Sequence, residues 1–171
     1  MTSPRGFVAA TFFLLALPVA ALYQFARGEG AEMMIHFMLA TGSALLSSAI
    51  PGFRAPRWAS WVGALSTGAL ALIFAAQGTA QLTGSEALTR LAFQHLGQDV
   101  EGWLGLGFLL WCFVAVLADG RGWRRTVGLV AVSLAAGARL CATVLPAAPV
   151  PKLLYLLPFV WLLAASGPEA G

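Results

Sequence analysis

A chain of 171 residues in which 59% are hydrophobic and only 10% charged cannot cover itself with a polar surface, since a soluble domain carries roughly 25% charged residues. Its net charge of +3 comes from ten basic residues dispersed among short loops. That pattern excludes nucleic acid as a partner, because phosphates are neutralised by clustered basic residues.

Apolar runs of about 20 residues match a hydrocarbon core of about 30 Å. The predicted fold class is therefore all-α: an integral membrane bundle of about six transmembrane helices, forming a single domain over 1–171. A short amphipathic surface helix precedes the fourth span. The two cysteines, Cys112 and Cys141, both lie inside apolar runs. They are too few for a disulfide framework, lack CxxC spacing, and read as small packing residues.

The first run, 7–26, follows Arg5 and contains Pro18, which removes a backbone donor and kinks a helix that neighbours then support. Val19-Ala20-Ala21 resembles a signal-peptide cleavage site, but the run exceeds the 7–15 residues of a signal core. The second span, 32–50, ends at Pro51-Gly52. The third, 58–78, follows Arg54 and Arg57. Its Ala64-x-x-x-Gly68 pair permits close helix contact.

Thr83 and Glu86 form a T-x-x-E capping box that starts the surface helix, 84–97. Leu88, Leu91, Ala92, His95 and Leu96 then share an apolar stripe at helical spacing, so the segment reads as interfacial. The fourth span, 100–118, leads through Arg121, Arg124 and Arg125 to the fifth, 126–145. The turn at 146–152 precedes the sixth, 153–166, interrupted by Pro158.

With the N-terminus inside, Arg5, Arg54, Arg57, Arg121, Arg124 and Arg125 fall on the inner face, while Arg27, Arg90 and Lys152 fall outside. The positive-inside rule therefore favours two cytoplasmic termini. The high Ala, Gly, Leu and Arg usage suggests a bacterial inner membrane. A weak repeat at an offset of 65 residues matches Leu39, Gly42, Trp58, Val62 and Gly63 to Leu104, Gly107, Trp123, Val127 and Gly128. It is a parallel rather than an inverted relation.

The candidate site lies at the outer ends of the spans. Glu32 with His36, and His95 with Asp99, are acid–histidine pairs at i, i+4 spacing. Gln77 and Gln81 end the third span at the same level, and Glu101 begins the fourth. Arg139 lies within the fifth span, where an ionisable group costs about 2.5–3.5 kcal/mol and therefore faces a partner or a cavity. Glu32, Asp99 and Glu101 are its candidate partners; snorkelling to the outer headgroups is the alternative. The expected binding residues are Arg139, His36, His95, Asp99, Glu32, Glu101 and Gln77.

Several chemistries are compatible with this set. The chain can bind or translocate a small polar solute, a cation or a lipid headgroup. It can be a membrane enzyme acting on a lipid-like substrate, with His36 or His95 as base. It can hold a b-type haem between His36 and His95, or serve as a structural subunit that docks a partner or oligomerises. Two histidines and two carboxylates could ligate a metal, but no HExxH or repeated ExxH spacing singles one out, so no metal site is assigned and the cofactor is left open. The GxSG serine and late histidine of rhomboid-type proteases are missing. Membrane lipids are the expected partners.

Overall fold

The computed structural model describes residues 5–15, 29–119, 122–145 and 152–166, and these are helical almost throughout. The helices are α1 (Arg5–Leu15), α2 (Glu29–Ala49), α3 (Arg57–Thr83), α4 (Glu86–Thr89), α5 (Glu101–Asp119), α6 (Gly122–Val144) and α7 (Leu157–Ser166). Four segments, led by α2, α3, α5 and α6, are long and apolar enough to cross a membrane; α1 and the α7 region are shorter apolar helices. The chain is thus a helical membrane protein with four long apolar helices among the described residues, which does not establish the six spans expected from the sequence. Pro18 and the rest of the first predicted run lie outside the described residues.

The long helices succeed one another with neighbours in contact: α2 on α3, α3 on α5, α5 on α6, and α6 on α7. Glycines set how closely they approach. A methyl built on Gly63 of α3 would lie 2.5 Å from Trp111 Cγ of α5, and one on Gly128 of α6 would lie 2.7 Å from Trp161 of α7. Earlier in each hairpin, Gly42 faces Phe13 of α1 and Gly107 faces Ser66 of α3. The two glycine pairs related by the 65-residue offset therefore meet comparable neighbours. In each hairpin the first glycine receives a side chain from the preceding helix, and the second receives a tryptophan from the following one. Ala64 and Gly68 serve the α2–α3 contact: Ser47 Oγ donates to the Ala64 carbonyl at 2.8 Å, and Gly68 leaves room for Ser47.

An aromatic ladder joins the short helices to the long ones. Phe13 stacks on Phe159 with centroids 4.0 Å apart, and Phe159 stacks on Phe108 at 5.5 Å. Phe108 continues to the fully buried Trp111, which meets Phe53 edge-on at 5.4 Å. Cys112 is buried in the same core, while Cys141 is exposed; both are free.

Several boundaries differ from the sequence reading for identifiable reasons. α3 runs five residues past the predicted 78, through Gln77 and Gln81, because those amides find partners across the bundle. The helix ends at Gly84, whose φ of 63° is the left-handed conformation that favours glycine. Thr83 is therefore the last residue of α3, its hydroxyl donating back to the Thr79 carbonyl. Ser85 takes the N-cap role instead, its Oγ accepting from the Leu88 amide at 3.4 Å.

The surface segment is also wound differently. After one α turn it continues as a π-helix over Arg90–Val100 and passes without a break into α5. The wider i→i+5 winding moves the buried face onto Leu88, Ala92, Phe93, Leu96 and Gly97, and leaves Leu91 and His95 exposed. Pro158 does not interrupt the last helix. A 3₁₀ turn, Lys152–Leu156, comes first, and Pro158 occupies the second position of α7, where no intrahelical donor is needed.

Candidate functional site

The polar residues gather at the end of the bundle where α3 finishes and α5 begins, but they divide into three groups. The first centres on His36. Its Nδ1 lies 2.8 Å from the Glu32 carbonyl oxygen and 3.1 Å from Gln81 Oε1, and its ring meets Phe93 edge-on at 5.4 Å. Both polar partners are oxygens, which assigns the hydrogen to Nδ1 in the neutral ring. The expected Glu32–His36 side-chain pair is thus a contact with the Glu32 backbone. Gln77, 4% exposed, donates from Nε2 to the Ala92 carbonyl at 3.3 Å and so clamps the π-helix onto α3.

The second group is a shallow exposed groove formed by Glu86, Ala87, Arg90, Leu91 and His95. His95 is turned away from the apolar interior, contrary to the stripe expected from a 3.6-residue period. The change of winding is the physical cause. The backbone of Asp99 lies in the π-helix, while its side chain falls outside the described set. Among the described residues no three His, Cys, Asp or Glu side chains lie close enough to hold a metal ion.

The third group surrounds Arg139. Its Nη2 donates to Glu101 Oε1 at 3.1 Å and to the Glu101 backbone carbonyl at 2.9 Å, and the two side chains are 18% and 23% exposed. The guanidinium carbon lies 5.2 Å from the Tyr155 ring centroid, a cation–π distance. Nε is sealed against Gly105, where a methyl would come within 2.9 Å, and makes no hydrogen bond. Of the three candidate partners for Arg139, Glu101 engages it, and the side chain of Asp99 lies outside the described set. Charge-assisted hydrogen bonds contribute about 1.5–3 kcal/mol each. Two of them offset an insertion cost of about 2.5–3.5 kcal/mol, so Arg139 has no need to snorkel.

This ion pair closes the polar end of a cavity of about 380 Å³, within the range of small-molecule sites. Ile35, Leu39, Ser43 and Leu46 line it as one stripe of α2; Thr67, Leu70 and Phe74 face them from α3. Phe13, Phe108 and Phe159, the aromatic stack, supply further apolar wall. The α2 stripe spans twelve residues, about 16 Å at the helical rise. The cavity is a slot that follows this stripe.

Among the described residues, the polar groups in its wall apart from Glu101 and Arg139 are the Thr67 and Ser43 hydroxyls and Tyr155. Thr67 is spent on the Gly63 carbonyl at 2.9 Å; Ser43 Oγ, fully buried, has no hydrogen-bond partner among the described residues.

Two of the seven sequence-predicted residues, Arg139 and Glu101, line the slot. Gln77, His36 and Glu32 build the helix contacts beside it, and His95 faces outward. Sequence reasoning missed Tyr155, Gly105, Ser43 and the aromatic stack. Gly102 and Gly105, one turn apart behind Glu101, carried the available signal, since small residues mark where another side chain lies on a helix. Comparison of the chain with protein-family models, with curated proteins and with solved structures finds no match.

Proposed function

We propose that this protein binds an elongated, lipid-like amphiphile in the slot, with its polar end at Arg139 and Glu101 and its apolar part against the aromatic stack. The supporting observation is the combination of an apolar slot with an ion pair at one end. An apolar wall takes hydrocarbon, and a part-buried guanidinium–carboxylate pair takes a polar group and fixes its direction. The lipid-headgroup reading gains from this arrangement. A small polar solute or a cation would meet an almost wholly apolar wall.

The experiment is native mass spectrometry of detergent-purified protein, wild type beside Leu70→Trp, which fills the slot from α3. The wild type should retain a lipid-sized adduct that the folded variant lacks. Identical adducts on both, or none on either, would remove the slot as a binding site.

An enzyme acting on the same lipid-like molecule is the second reading. Its support is Glu101, a carboxylate in the wall; neither His36 nor His95 reaches the slot. We further propose a bacterial inner membrane with Arg54, Arg57, Arg124 and Arg125 at the cytoplasmic end, following the positive-inside rule. With Cys141 replaced by Ser, an impermeant thiol reagent should then label Ser85→Cys but not Gly52→Cys in intact cells; the reverse pattern would invert the topology.

A further inference from the structure

We infer that the ligand is a zwitterionic lipid with one chain in the slot, its phosphate at Arg139 and its ammonium group at Glu101. This rests on the slot being the binding site and concerns what the slot selects. Among the described residues of its wall, Glu101 is the acid and Arg139 the base, and they face each other at 3.1 Å. The pair is neutral in sum and dipolar in arrangement. A purely anionic head would gain from the guanidinium but be repelled by the carboxylate one hydrogen bond away. A cationic head would meet the opposite conflict. A head carrying both charges a few ångströms apart satisfies both partners.

Both side chains keep about a fifth of their surface accessible, so a headgroup reaches them without breaking the bundle. Tyr155 backs the guanidinium and Gly105 seats it, so the arginine is held in one orientation rather than free to turn toward any anion. The slot follows about 16 Å of α2, and its wall is largely apolar beyond the ion pair, which suits a hydrocarbon chain. A second chain, where the lipid has one, remains in the bilayer.

The test compares two single-chain probes of equal acyl length, 1-palmitoyl lysophosphatidylethanolamine and 1-palmitoyl lysophosphatidylglycerol. They share chain and phosphate and differ in the ammonium group. Binding to the full-length protein in detergent is measured for wild type, Glu101→Gln and Leu70→Trp, with free phosphoethanolamine as a chainless control. The wild type should prefer the ethanolamine probe by roughly fivefold, the size expected of one partly exposed ion pair. Glu101→Gln keeps an oxygen for Arg139 and should lose or invert that preference. Phosphoethanolamine alone should not compete.

Equal binding of the two probes by the wild type, or a preference for the glycerol probe, would overturn the zwitterion inference. If Leu70→Trp still abolished both, the slot would stand. If Leu70→Trp bound both probes as well as the wild type, or the wild type bound neither, the slot itself would fall, and the inference with it. Competition by phosphoethanolamine as strong as that of the lipid would show that no chain enters the slot. If Glu101→Gln does not fold, the wild-type ratio alone decides.

Discussion

At the residue scale the centre of the molecule is the contact between Arg139 and Glu101. A guanidinium inside a membrane helix is tolerated because its Nη2 is shared between a carboxylate and a backbone carbonyl of one residue, with an aromatic ring behind it. Replacing Glu101 by Ala removes the countercharge but leaves the backbone acceptor. Fully buried pairs lose about 3–5 kcal/mol when broken. With both side chains about a fifth exposed, the expected loss is nearer 1–3 kcal/mol. Glu101→Gln should cost less than half as much. Denaturant unfolding in mixed micelles measures both, and an Ala variant as stable as the wild type would show that the pair contributes nothing.

Much of this site was legible in the residue types alone. An arginine six residues from the end of an apolar run demands a partner, and the acids at the same level narrowed the choice to three. What residue types could not give was direction. The interface pair Glu32–His36 has the spacing of a side-chain pair, yet the histidine takes the backbone carbonyl and a glutamine from the next helix. Tyr155 lies in the 3₁₀ turn that leads into α7, and its place at Arg139 depends on where α7 docks, which nothing local announces.

At the element scale the informative departure is the π-helix between α4 and α5. Such winding is rare and is commonly found at functional sites. Here its cause is visible: Gln77, buried on α3, holds the Ala92 carbonyl, and Phe93 packs against His36. Gln77→Leu removes the clamp while keeping the side chain's bulk. Faster amide exchange confined to 90–100 is the expected result, with α2, α3 and α6 unchanged. Protection equal to the wild type would mean that the local sequence, not Gln77, sets the winding.

The same element shows why periodicity misled. Counting at 3.6 residues per turn puts His95 on the apolar stripe, and the wider turn takes it off. The four long apolar helices, by contrast, were readable from hydropathy. The ends of α3 were not, because Gln77 and Gln81 look like a polar boundary until their partners across the bundle are seen.

At the scale of the whole molecule, the four long helices and two shorter apolar ones among the described residues line a slot whose length follows one face of α2. The repeat at 65 residues was visible in five identities, and the matched glycines now have matched tasks. The slot was not visible, because a cavity is made by what neighbouring helices fail to fill, and no single segment records that.

The most direct test of the slot as a lipid-binding site is photolabelling with a single-chain lipid bearing a diazirine near the end of its chain, followed by mass spectrometric mapping. Label should fall on the inward stripe, Leu39, Leu46, Leu70, Phe108 and Phe159, and disappear in Leu70→Trp. Label confined to the outward-facing Trp61, Leu65 and Leu72, which are exposed on the other side of α3, would mean that lipid only surrounds the protein and the slot does not bind it.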